Sequence, residues 1–421
     1  MRQELNFKGL WHLPNLKDRK IAGILTFKPE LESKLELIGT LEEPKKKFLE
    51  PDNGPYYEVI LGLLENGDTI SLIDCYRTNY KANFKVNIST ASYNVRIILS
   101  NLGLEYRSSK LFNKISFNIN VFPQWMKVNI INQKLFYQGE NIDGFELKFL
   151  KSKDQDIYRF DTANDFSIEF SSFASYKEVN YSGYELFSSF SIIISSSENN
   201  NLSYFLEKSN RFISFLRCCF SDHVFFTNFY FHVETLTKNQ YEHPWKRCVF
   251  KQKYFKNKID RSSYMKISFI DIEEKISEIL SSWMKLNKQI DPIIETLIEL
   301  NERGREFTIK DFLAITQCVD GFHRMFKSSK QMPFVKRIKK LYYELMSINI
   351  IDFSEGEIKR IVDNRDYYTH LHQDKGVDFF TIPELFQKTR KLYALVLFSI
   401  LKEVGFTEEM LRKYGEDDYL N

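Results

Sequence analysis

One change of texture constrains this chain more than any other feature. Near residues 255–270 the apolar residues stop recurring at a period of two and begin to recur at helical spacing. Upstream, the runs 20–27, 34–39, 57–63, 69–75, 92–99, 114–120, 167–173 and 187–195 are short and β-rich, and several alternate apolar and polar residues. That is the pattern of half-buried strands. Asn66-Gly67 separates two of them. Both central residues of a tight hairpin turn need positive φ, so the pair predicts a hairpin of 58–64 with 69–76. Leu206, Phe212, Ile213, Leu216 and Phe220 break the alternation and predict one embedded helix over 202–220. Strands resume over 223–235.

Downstream, the segment 272–301 carries Ile276, Ile279, Leu280, Trp283, Leu286 and Ile290 at helical spacing, and Pro292 kinks or restarts it. Thr308 with Asp311 opens a helix to about residue 327, and Pro333 suits the first turn of the next, to about 347. Ser354 with Glu357 and Thr381 with Glu384 have capping-box spacing and open helices over 355–371 and 382–404. Thr407 caps a short last helix. The expected class is α+β. A mainly β, sandwich-like N-terminal domain with one helix covers 1–258, and an all-α bundle of about five helices covers 259–421.

Lys plus Arg is 59 and Asp plus Glu is 56, which excludes a polybasic coat protein but leaves room for a local nucleic-acid patch. The five cysteines are odd in number and form no Cys-x2-Cys pair, so a reducing compartment is expected rather than a disulfide scaffold. The first residues lead into no apolar signal-peptide core, and the longest apolar stretch, 392–401, is about half a membrane span. A cytoplasmic protein without membrane contact is the expectation. Cys218-Cys219 with His223 lacks the spacing that presents two thiolates to one zinc. Phosphate-loop, nucleophile-elbow and zincin motifs are absent from the sequence, so neither metal nor cofactor is expected.

One segment concentrates chemistry: Asp363-Asn364-Arg365-Asp366-Tyr367-Tyr368-Thr369-His370-Leu371-His372. Arg365 and His370 are about 140° apart around a helix, and Asp366 shares a face with His370 four residues on. Asp366 can orient the imidazole or hold its proton, and Arg365 is long enough to curl toward the same spot. A His that moves a proton beside a guanidinium that holds phosphoryl oxygens suits attack at phosphorus. A surface helix with a solvated Arg gives the same spacing. A second feature lies between Asp320 and Glu344, where no acid occurs. Arg324, Lys327, Lys330, Lys336, Arg337, Lys339 and Lys340 fall there with Phe326, Phe334, Tyr342 and Tyr343 interleaved. Such a stripe suits a phosphate backbone with stacked bases, and Lys336, Arg337, Lys339 and Lys340 are its expected RNA contacts.

Arg365-Asp366-x3-His370 near the end of a five-helix domain resembles the R-x4–6-H motif of HEPN ribonucleases. Gln317-x2-Asp320-x2-His323 is similar to the Q-x2-E-x2-H helix of the ApeA-like HEPN subfamily, with Asp in place of Glu. Residues 7–14, 21–27, 35–39 and the 60–72 hairpin resemble the ApeA N-terminal domain. The resemblance spans most of the chain. It implies an abortive-infection, anti-phage defence protein whose C-terminal domain is a metal-independent endoribonuclease toxin and whose N-terminal domain senses or regulates. It implies that HEPN domains pair, as a homodimer or higher even oligomer, so that two motifs form one composite site. Carried over, His370 is the general acid/base, Arg365 binds the scissile phosphate and Asp366 orients His370. The 2′-hydroxyl attacks, leaving a 2′,3′-cyclic phosphate and a 5′-hydroxyl. Transfer RNA is a plausible target, and the trigger is phage-derived and unidentified.

Two further readings compete. In one, the bundle is a non-catalytic module that only dimerises or binds RNA or another ligand. The intact Arg365–Asp366–His370 set favours the enzyme. In the other, aromatic and Asn-rich strands bind carbohydrate, against which the absence of a secretion signal counts.

Overall fold

The computed structural model describes residues 4–29, 31–42, 54–83, 88–127, 131–138, 141–149, 156–161, 166–178, 184–220, 223–234, 243–252, 266–303, 307–371 and 376–416. By its contacts the chain divides into two compact units. The first comprises Met1–Pro123, Val128–Asn210 and Val224–Asp260, and the second comprises Gln124–Lys127, Arg211–His223 and Arg261–Asn421.

The first unit begins with β1 (Leu5–His12), β2 (Ile21–Phe27), β3 (Ser33–Ile38), β4 (Tyr56–Leu64), β5 (Thr69–Asn83) and β6 (Ile88–Ser100). The expected hairpin is β4–β5, with Leu63 opposite Thr69 and Gly67 at φ 85° in its turn. In place of a sandwich, these six strands close on themselves. They run β6-β3-β2-β1-β4-β5, and β5 pairs again with β6. Closure removes the sheet edges that would otherwise need covering. Trp11, fully buried, explains how the barrel fills. A Cβ at Gly62 would lie 2.4 Å from the Trp11 ring, so only glycine leaves room for the indole.

The long β6 also starts a second layer. Its first half pairs with β3, and residues 97–99 pair with β14 (Trp245–Phe250). From there the order is β14, β13 (Phe226–Val233), β7 (Phe112–Ile119), β12 (Tyr184–Asn200), β11 (Phe166–Glu178) and β10 (Asp156–Asp161). Phe117 opposes Phe229 across β7–β13, and the two rings stack at 5.5 Å. Cross-strand aromatic pairs of this kind hold a sheet together and account for part of the phenylalanine content. A separate ribbon pairs β8 (Ile131–Gln138) with β9 (Asn141–Phe149).

Helices α1 (Phe122–Met126) and α2 (Leu202–Cys219) interrupt the strands; α2 is the expected embedded helix. The second unit contains α3 (Phe269–Ile272), α4 (Ile276–Lys285), α5 (Asp291–Arg303), α6 (Ile309–Phe326), α7 (Phe334–Leu345), α8 (Glu355–His370), α9 (Ile382–Glu403) and α10 (Glu408–Glu416). The expected long first helix is therefore broken in two, and Pro292 restarts it in the first turn of α5. Thr308–Asp311 and Thr381–Glu384 form complete capping boxes. Ser354 caps α8 by accepting from the Glu357 N–H, but the Glu357 carboxylate turns away to Lys388 at 2.8 Å and Lys391 at 2.9 Å. Within this unit the last half of α2 is tied in by Trp283 Nε1 donating to the Arg211 carbonyl and by the Tyr414 hydroxyl donating to that of Cys218. Residues 392–401 of α9 are all buried, which makes α9 the central helix of the bundle. No helix among the described residues is long and apolar enough to cross a membrane.

Candidate active site

The motif helix α8 has two faces set by its sequence. Ile358 and Ile361 point into the core, and Asn364 follows at the next position of the same stripe. A fully buried Asn must have its amide satisfied. Asn364 Nδ2 donates to the Arg360 and Asp378 carbonyls, both at 2.9 Å, and its Oδ1 accepts from the Phe380 N–H at 3.1 Å. Asn364 thus straps the segment leading into α9 onto α8. Arg360, one turn earlier, adds ion pairs to Asp378 at 2.7 Å and Glu384 at 2.6 Å and lies 4.7 Å from the Phe380 ring centre. The Arg360 guanidinium, with hydrogen bonds from Thr381, holds the Glu384 carboxyl down at about 2. Tyr367 packs edge-on against Phe379 at 4.6 Å, and Tyr368 against Phe312 at 6.2 Å.

Arg365, half-buried, begins the last turns of the motif. Its Nη1 donates to Asp366 Oδ1 at 2.8 Å, and its guanidinium lies 4.9 Å over the ring of Phe334 at the start of α7. Thr369 folds its hydroxyl back on the Arg365 carbonyl at 2.7 Å. His370 is exposed and is the last residue of α8. The chain then leaves the helix through Leu371, at φ 50°, whose N–H donates to the Tyr367 carbonyl. The structure brings Arg365 and Asp366 together, and the carboxylate expected to serve His370 is engaged by the guanidinium. His372 lies outside the described residues.

The basic window is divided by burial. Lys336 and Lys340 are exposed. Lys339 pairs with Glu355, Lys327 with Glu344 and Glu403, and Arg324 with Asp320. Arg337 is fully buried, with Nε 2.9 Å from Asp320 Oδ1. A guanidinium without exposed surface reaches no phosphate, so Arg337 departs from its expected place among the RNA contacts. Asp320 and His323, singled out by the Gln317 helix pattern, instead meet this arginine. The Arg337 Nη1 lies 3.5 Å from His323 Nδ1.

The cysteines contribute no reactive thiol here. All five are buried and free, and burial pushes Cys218 up to about 12 and Cys318 up to about 11. Among the described residues no three His, Cys, Asp or Glu side chains form a group able to hold a metal ion.

Spacing alone points to Arg365 and His370 but misses Arg360, Asn364 and Phe334. The available signal for Asn364 is an amide on the apolar stripe, three residues after Ile361. Phe334 shows in the sequence only as an aromatic of the basic window; it is buried, and its contact with Arg365 joins two helices.

Comparison with known families adds a second line. The family model for ApeA N-terminal domain 1 matches residues 6–283, and that for the Apea-like HEPN domain matches residues 234–410. No curated protein and no solved structure matches the chain. With the N-terminal match covering the barrel and its second layer, and the HEPN match enclosing α8 and its Arg365–His370 motif, this chain belongs to the ApeA-like proteins.

Proposed function

We propose that the chain is an anti-phage defence nuclease, a metal-independent HEPN endoribonuclease held in check by its N-terminal domain until a phage-derived signal arrives. HEPN domains are generally ribonucleases, which supports the class of activity. One observation carries the site: Arg365, Asp366 and His370 share the last turns of α8, Asp366 and His370 exposed and the half-buried guanidinium already stacked and paired.

Arg365 binds the scissile phosphate through the N–H groups that Asp366 leaves open. His370 acts as general base on the 2′-hydroxyl, and its oxygen attacks phosphorus. The 5′-oxygen leaves and takes a proton from a general acid, the His370 of a second copy in a paired HEPN dimer. Products are a 2′,3′-cyclic phosphate and a 5′-hydroxyl. Because the nucleophile belongs to the RNA, no water has to be activated by a metal. Proton transfer by a placed imidazole contributes about 10²–10⁴-fold, and charge stabilisation by the guanidinium adds to it. Asp366 keeps its bond to Arg365 and orients His370 through its second carboxylate oxygen. Lys336, Lys339 and Lys340 on α7 extend the cationic surface for RNA, and transfer RNA, with loop bases unstacked, is the favoured substrate.

The test is cleavage of total RNA by the full-length protein in excess EDTA, alone and with extract of phage-infected cells. Arg365→Ala and His370→Ala proteins run alongside. Cleavage by the wild type only, with cyclic-phosphate ends, is expected. Equal cleavage by His370→Ala, or none under either condition, overturns the reading.

A further inference from the structure

Arg365 has long, flexible freedom unless something fixes it. Two contacts do so: Asp366 on its own helix and the ring of Phe334 on α7. Stacking on an aromatic face fixes the plane of a guanidinium while leaving its edges open to oxygens. The orientation of Arg365 therefore depends on where Phe334 is held.

Phe334 is the first residue of α7, and that end lacks a side-chain cap, with Pro333 at the N-cap. Phe334 is itself buried, and the segment before it is tied by Arg337, one turn on and on the same face. Its fork reaches back out of the helix. Nε donates to the Met332 carbonyl at 3.2 Å and pairs with Asp320 on α6 at 2.9 Å, and Nη2 donates to the Lys330 carbonyl at 3.4 Å. Nη1 faces His323 Nδ1, and that ring is fully buried, with no partner at Nε2 among the described residues. A buried guanidinium is costly, and an apolar residue of the same volume would join two helices at least as well. What the fork adds is direction: it fixes the segment before α7 and, through it, the Phe334 ring.

We infer that Arg337 and Phe334 are positioning residues that hold the Arg365 guanidinium in the orientation that receives phosphate, an inference that rests on the nuclease reading for its catalytic consequence. Asp320 and His323 serve this cation, and none of the four touches RNA.

The experiment uses full-length protein with isotope-labelled arginine, the Arg365 Nε–H resonance being identified by its loss in Arg365→Lys. Phe334→Leu keeps apolar volume but removes the ring, so the ring-current shift on Arg365 disappears. Arg337→Met moves the same resonance toward the Phe334→Leu position, and Phe334→Tyr restores the wild-type position. Cooperative melting is followed for each, and Phe334→Leu against Phe334→Tyr decides the matter if Arg337→Met fails to fold. On total transfer RNA, kcat/KM falls about two- to fivefold in Phe334→Leu, and Arg337→Met, which acts through the same ring, loses no more than that. Phe334→Tyr restores kcat/KM together with the resonance. An Arg365 resonance unmoved by Phe334→Leu, or a kcat/KM that Phe334→Tyr fails to restore, overturns the inference. A wild type that cleaves nothing sinks the nuclease reading instead, while the resonance still decides the positioning.

Discussion

The two halves of α8 carry similar residues and use them in opposite ways. Up to Asn364, Glu357, Arg360 and Asn364 spend their polar groups on the protein: lysines of α9, the Asp378 and Glu384 carboxylates, and the backbone of 378–380. In the second half, Arg365, Asp366 and His370 sit at or near the surface, and the guanidinium keeps N–H groups beyond its one bond to Asp366. Polar groups that are buried and satisfied specify structure. Polar groups held in place but left accessible can do chemistry. One helix thus has an anchored base and an accessible tip, and each part can be changed without the other.

The largest separation comes from His370→Ala. Cleavage falls by about 10²–10⁴-fold, while the melting temperature stays near wild type because the side chain is exposed. Parallel RNA assays and thermal melts check both halves of that statement. Equal toxicity of wild type and His370→Ala on overexpression in growing cells contradicts it. Next, Asn364→Ala strips partners from the Asp378 carbonyl and the Phe380 N–H. Stability falls by about 2–3 kcal/mol, measured by denaturant unfolding. Activity then declines only as folded protein is lost, the reverse of the His370 result.

Asp366→Asn is the intermediate case. It weakens an ion pair that is half exposed, so stability changes by less than about 1 kcal/mol. Cleavage falls by about tenfold, the scale of a lost orienting contact. An unchanged rate removes Asp366 from the mechanism.

The smallest effect is on the pH dependence of the anchor. Glu384 has its folded pKa depressed from 4.5 to about 2. The folded state therefore binds fewer protons in that window. Its contribution is complete above 4.5 and is lost as pH falls through the folded value. Thermal melts from neutral pH down into that range show wild type losing stability more steeply than Glu384→Gln. The buried His323 adds a loss beginning higher. Burial, then Arg337 and Lys340, lower its pKa below 6.5, against Glu344 and Asp320, which raise it. Stability tied to its neutral ring is present above 6.5 and declines below. The slope between those two regions flattens in His323→Gln.

Much of this was legible in the sequence because it is local. Capping pairs three residues apart, the Asn66-Gly67 turn and the apolar period placed α6, α8, α9 and the β4–β5 hairpin within a residue or two. The Arg365–His370 spacing on a helix is equally local. Its exposure needed the structure, since a helical wheel does not say which face a neighbour covers. Leu392–Leu401 shows the same limit: an apolar run is visible, but its place at the centre of the bundle is not.

The sequence by itself determined the division into β-rich and helical parts, the ends of the main helices and the helical spacing of Arg365, Asp366 and His370, each set by contacts within a turn or two of chain. Only the tertiary structure decided that β5 returns to β6 to close a barrel, that Asn364 and Arg360 belong to the anchor, and that Arg337 is buried against Asp320 rather than offered to a phosphate. Those outcomes depend on partners far apart in sequence, whose meeting is set by packing and by the need to satisfy every buried polar group.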